Sequence, residues 1–175
     1  MHAIRANERY TTAVDALAEL LSKLKLQTAF VGDVARSAWL GATVDRGSID
    51  VLALMTPEQK NHVAMMANNR GFDVDRDEIE QSEELDLIPM KFDGIRIHVL
   101  VASNALYGRM VAGSVAAEWN EREVRVATAE DFALLSMIAE EPATTDALVA
   151  LPGFDRAALN RKLVSIGLGD LVIGE

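Results

Sequence analysis

The chain contains no cysteine, which excludes disulfide cross-links, thiolate nucleophiles and cysteine-ligated zinc. That absence agrees with a reducing compartment. Only 5% of the residues are aromatic, so the core has to be built from Ala, Leu, Val, Ile and Met. Basic residues are scarce: 17 Lys and Arg against 27 Asp and Glu leave a formal net charge of −10. A surface of that sign argues against general affinity for the phosphate backbone of DNA or RNA, and leaves room for a nucleotide in one local pocket. No apolar run approaches the roughly 20 residues of a spanning helix, and residues 1–12 lack the apolar centre of a signal peptide. These absences predict a cytoplasmic protein without membrane contact. What is present suffices for a core. Half of the 175 residues are hydrophobic, and the length suits one compact domain.

Apolar residues recur at helical spacing at Val14, Leu17, Leu20, Leu21 and Leu24, which predicts a helix over 10–26. A short strand over 28–31 follows, then a helix over 34–40 stopped near Gly41, then a β-branched central strand over 49–54. Thr56-Pro57-Glu58-Gln59 is a helix start, with Thr56 as cap, Pro57 in the first turn and Gln59 at the capping-box position. The acidic stretch 73–86 shows little periodicity and reads as a loop or a weak turn. Asp93-Gly94 between two apolar runs signals a hairpin of strands 87–92 and 95–101. A short helix over 104–111 and a second hairpin around Asn120 come next. Three helices follow, the first capped by Thr128, the others over about 144–151 and 155–166. The expected class is α/β (α+β): a mixed sheet of four to five strands over residues 1–127, flanked by helices, with a helical C-terminal part over 128–175 packed on the same domain.

Several catalytic signatures are missing. The sequence has no Gly-x-Ser-x-Gly elbow, no phosphate loop ending in Gly-Lys-Ser/Thr and no His-Glu-x-x-His. Chemistry is suggested instead by Phe30-Val31-Gly32-Asp33, where a strand gives way to a helix, and by Ser48-Ile49-Asp50-Val51, where a carboxylate enters the next strand. A helix start presents backbone N–H groups to phosphate. Side chains at strand positions i and i+2 share a face, so residues 48 and 50 point the same way.

In that order and spacing the chain resembles the nucleotidyltransferase superfamily, and within it the AbiEii-like minimal nucleotidyltransferases of bacterial toxin and abortive-infection systems. The resemblance covers roughly residues 10–165. It rests on Phe30-Val31-Gly32-Asp33 with Ala35-Arg36, Arg46-Gly47-Ser48-Ile49-Asp50-Val51, Asn69-Arg70-Gly71-Phe72, Ile97-His98-Val99-Leu100 and Thr128-Ala129-Glu130-Asp131-Phe132. It implies the family's fold, with Mg²⁺ or Mn²⁺ and an NTP as cofactors where the site is active. Gly32 and Asp33 fall in the phosphate turn, Arg36 and Arg46 near the phosphates, and Asp50 at a metal ligand. The family's first carboxylate falls at Ser48 and its third at His98, so one acid of three remains. A lysine often found after the Glu-Asp pair falls at Ser136.

These departures weaken triphosphate and metal binding. A hydroxyl at Ser48 is a poor metal ligand, His98 is a soft partner for magnesium, and Asp33 puts negative charge where a phosphate would sit. Three readings follow: a degenerate transferase with weak or no NMP transfer, an active enzyme acting on a protein, RNA or small molecule, or a non-catalytic module of a toxin–antitoxin or defence pair. The candidate partners are accordingly a nucleotide and another protein. Plainer readings stand beside the catalytic ones: Asp33 as a helix cap, His98 as a hydrogen-bonded structural residue, Asp50 in a local contact, and Arg36 paired with Asp33 or Asp50.

Overall fold

The periodicities of the sequence resolve into a six-stranded sheet with helices on its faces. The structure, a computed structural model, describes residues 2–44, 47–75, 77, 79 and 86–174, with side chains from residue 8 onward. Helix α1 spans His2–Lys23 and begins well before its apolar stripe. Residues 2–9 contain neither Gly nor Pro, and Ala, Arg and Glu among them favour helix. Its inner face, Tyr10, Leu17, Leu20 and Leu21, is buried.

Strand β1, Thr28–Val31, passes directly into α2, Gly32–Leu40. Gly32 makes the turn at φ 58°, a left-handed conformation that glycine adopts without steric cost. Strand β2 is Ser48–Ala53 and helix α3 is Pro57–Asn68, whose start is fixed by the Thr56 N–H donating to Gln59 Oε1 at 2.8 Å. The first hairpin forms as expected from β3, Leu87–Phe92, and β4, Ile95–Val101. Helix α4, Ala105–Ala112, follows, capped by the Asn104 side chain. The second hairpin joins β5, Val115–Trp119, to β6, Arg122–Val126. The chain closes with α5, Ala129–Ile138, α6, Pro142–Val149, and α7, Arg156–Ser165. Thr128 and Asp155 cap α5 and α7 with their side chains.

The strand order is β3-β4-β2-β1-β6-β5. The sheet exceeds the expected four to five strands because the second hairpin attaches to it through a parallel contact, Phe30↔Val126. Asp73 also departs from expectation. It is not loop but bridges to Lys91, each residue's N–H donating to the other's carbonyl at 2.8 Å. Within the same acidic stretch, residues 76, 78 and 80–85 lie outside the described residues.

Strands β2 and β4 run parallel with Asp50 opposite His98, and β1 runs antiparallel to β2 with Val31 opposite Asp50. On these strands Ile49, Val51, Ile97 and Val99 are fully buried, each such side chain contributing about 1.5–3 kcal/mol of burial. The residues between them, Ser48, Asp50 and His98, therefore share the opposite face. The helices after residue 128 pack through Leu134, Leu148, Leu159 and Leu163. Trp39 ties them to α2 by donating Nε1–H to the Ala127 carbonyl at 3.0 Å. No helix among the described residues is long and apolar enough to cross a membrane.

Candidate functional site

Ser48 and Asp50 stand two residues apart on β2, and the parallel register brings His98 beside them from β4. The Ser48 hydroxyl donates to Asp50 Oδ2 at 3.0 Å and lies 3.2 Å from Oδ1. His98 Nδ1 is 2.7 Å from Asp50 Oδ1. A carboxylate oxygen accepts, so Nδ1–H donates in this contact. Both Asp50 oxygens are thus engaged by neighbouring side chains. The turn at Gly32 closes over the same carboxylate: a Cβ added there would fall 2.7 Å from Asp50 Oδ2.

Asp33 occupies the first turn of α2, but it does not cap it. Val31 is the N-cap and makes no side-chain cap bond. The reason is that the chain turns into helix at Gly32 itself, one residue early, which leaves Asp33 inside the helix. Its carboxylate lies against Gly47, whose added Cβ would fall 2.2 Å from Asp33 Oδ2, and accepts from Arg36 Nη1 at 2.9 Å. Burial holds the Asp33 carboxyl above the usual carboxylate range. Arg36 opposes that shift, and the charges of Asp50 and Glu141 add to it.

Arg36 reaches from Asp33 to Glu141, with Nη2 2.8 Å from Oε2, rather than to Asp50. Its Nε is buried and has no partner among the described residues. Arg46 lies outside the described residues.

The structure therefore brings Gly32, Asp33, Ser48, Asp50 and His98 to one place, with Arg36 bridging from its edge. Two further residues join them. Tyr10 is fully buried and donates its hydroxyl to the Ser48 carbonyl at 2.9 Å. Burial, then the charges of Asp33 and Asp50, push its phenol above the ordinary range. Glu141 arrives from the turn between α5 and α6. Neither carried a sequence signal: Tyr10 reads as one more residue of an amphipathic helix, and Glu141 is 105 residues from the arginine it meets.

A divalent cation holding a triphosphate needs several hard oxygen ligands. The strand pair offers one carboxylate, already hydrogen-bonded on both oxygens. Among the described residues no group of three His, Asp or Glu side chains is arranged to hold an ion. The donor set on these strands, one carboxylate with a hydroxyl and an imidazole among the described residues, is poor in the hard oxygen ligands that magnesium needs. Ser136, where the resemblance expects a lysine, is buried with its hydroxyl unpartnered among the described residues. The Ser48–Asp50–His98 row can hold a proton and offer a polar edge to a ligand. A groove of about 780 Å³ where β1 and β6 meet is lined by Lys25, Thr28, Ser114 and Arg125 among others, and by none of the five converging residues.

No protein-family model matches the chain, and no curated protein matches it significantly. Solved structures do resemble it. The solution structure of the antibiotic-resistance factor ANT(2″)-Ia superposes with a TM-score of 0.60 at 13% identity, over 94% of this chain and 91% of that one. The lincosamide antibiotic adenylyltransferase LnuA, bound to lincomycin, gives 0.53 at 10% identity, over 79% and 96%. ANT(2″)-Ia in complex with adenylyl-2″-tobramycin gives 0.52 at 14% identity, over 89% and 92%. On this likeness, and on the strand order and turn described above, the chain has a nucleotidyltransferase-like fold.

Proposed function

We propose that the chain is a degenerate nucleotidyltransferase-fold protein, with weak or no transfer of a nucleoside monophosphate from an NTP, whose cleft serves as an interaction site. One observation carries this reading: Asp50, the remaining family carboxylate, is held by Ser48 and His98 instead of facing two further acids. Asp33 at the start of α2 adds negative charge where a phosphate would approach. The AbiEii-like resemblance supports a role as one member of a toxin–antitoxin or defence pair in the cytoplasm, with a protein as partner. Function follows the site and not the fold, which is why the altered residues outweigh the preserved architecture.

The test is pyrophosphate release from ATP, GTP, CTP and UTP with magnesium or manganese. The expected result is a rate equal to that of Asp50→Ala. Clear metal-dependent turnover abolished by Asp50→Ala would overturn the proposal. It would favour a second reading, transfer to a small-molecule acceptor, which draws support from solved neighbours named for antibiotics. In that reading Gly32, Arg36 and Arg46 would meet the phosphates and Asp50 the metal.

A further inference from the structure

The two edges of the sheet are finished differently. At the β3 edge, Lys91 uses its outward N–H and carbonyl on Asp73. Pro89, two residues away and facing the same way, has no N–H to offer. A proline and a covering bridge are recognised ways of closing an edge to further pairing. The β5 edge has neither. Its sequence is Val-Ala-Ala-Glu-Trp, without proline or lysine.

The hairpin turn shows which β5 groups point outward. Asn120 and Glu121 have φ 50° and 62°, the two-residue turn in which the flanking residues exchange both backbone hydrogen bonds. Trp119↔Arg122 is therefore a hydrogen-bonded pair, and the pattern alternates along the ladder. Ala117↔Val124 is bonded like it. Ala116↔Arg125 and Glu118↔Glu123 are not, so the N–H and carbonyl groups of Ala116 and Glu118 face away from β6. Among the described residues, none of these groups makes a backbone hydrogen bond outside the hairpin. Both residues are exposed.

We propose that β5 pairs antiparallel with β5 of a second copy, about a two-fold axis through Ala117. An isologous contact requires a surface complementary to itself, and this edge meets the requirement in two ways. In this register Ala116 faces Glu118 of the second copy, and the outward groups exchange about four N–H···O bonds. Ala117 meets its own copy at a non-hydrogen-bonded pair, where side chains approach most closely and a methyl group fits. The charges also match. Glu118 and Glu123 stand opposite each other on the hairpin, and neither has an ion pair among the described residues. Arg125 stands behind Ala116 on the same face. Its Nε and Nη2 bond to Ser114, which leaves Nη1. In the pair, Arg125 reaches over the Ala116 methyl to Glu118 of the second copy, and the symmetry repeats the contact. This inference is independent of the cleft.

Sedimentation velocity of the full chain over a concentration series tests it, with Ala116→Pro as the variant. The Ala116 N–H is not used by the hairpin, so proline there removes the intermolecular donor without breaking a hairpin hydrogen bond. Wild type should sediment at twice 19.0 kDa and Ala116→Pro at the single mass with unchanged circular dichroism. Amide exchange at Glu118 should be slow in wild type and fast in the variant. A monomeric wild type at every concentration, or a dimer that survives Ala116→Pro, would overturn the proposal. Where Ala116→Pro fails to fold, exchange at Ala116 and Glu118 in wild type decides: slow exchange supports the pairing and fast exchange refutes it.

Discussion

Gly32→Ala probes the contact on which the site is built. Two costs arise from the structure. Alanine at φ 58° is strained by about 1–2 kcal/mol. Its Cβ would also fall 2.7 Å from Asp50 Oδ2, so the carboxylate must swing away from Ser48 and His98. Hydrogen bonds to a charged group contribute about 1.5–3 kcal/mol, and the partial exposure here reduces that loss to about 1–2 kcal/mol. The expected destabilisation is about 2–4 kcal/mol. In an Asp50→Ala background the carboxylate is gone and only the backbone strain remains, about 1–2 kcal/mol. The two substitutions should therefore couple by about 1–2 kcal/mol, within the range for touching residues. Urea unfolding of the four proteins, followed by the fluorescence of Trp39 and Trp119 with the slopes compared, measures the coupling. Additive costs would show that Asp50 does not stand behind the turn, and the description of the site would fail.

Other substitutions read other parts of the cleft. Asp33 has a raised folded pKa, so its contribution is greatest when protonated and is lost as pH rises through that value. Asp33→Asn should raise the melting temperature at neutral pH, with the gain shrinking toward about pH 4; a gain that grows on acidification would contradict the assignment. Tyr10→Phe removes a buried donor to the Ser48 carbonyl and should cost about 0.5–1.5 kcal/mol, seen as a lower urea midpoint. No change would show that this bond is unimportant. Ser136→Ala removes a buried hydroxyl with no partner among the described residues and should stabilise the fold by about 1 kcal/mol, measured by calorimetry. A loss of stability would mean that the hydroxyl is satisfied.

Much of this arrangement could be read from local patterns. Asp93-Gly94 set the first hairpin in register because that dipeptide tolerates the two left-handed residues such a turn requires. Period-two alternation put Ser48 and Asp50 on one face, and the likeness to the transferases put His98 on a neighbouring strand. That His98 stands opposite Asp50 follows from the parallel register of β2 and β4, which the sequence left open. Interactions set by distant parts of the chain were not legible. Arg36 has an acid three residues before it and another in the next strand, and local spacing does not reveal that its second partner is Glu141. Asp33 looked like a cap because a carboxylate before an apolar run usually is one. The glycine before it begins the helix earlier, and burial against Gly47 takes the place of capping. The parallel contact of β1 with β6 joins segments almost a hundred residues apart, and no turn signal marks it.

The central claim is that the Asp50 carboxylate belongs to Ser48 and His98 and does not seat a metal-bound triphosphate. Thermal unfolding of the wild-type chain with each of ATP, GTP, CTP and UTP plus manganese tests it most directly. A ligand at a hundred times its dissociation constant stabilises the folded state by about 2.7 kcal/mol, a rise of several degrees for a chain of this size. No rise is expected with any nucleotide. A manganese-dependent rise that disappears in Asp50→Ala would contradict the claim.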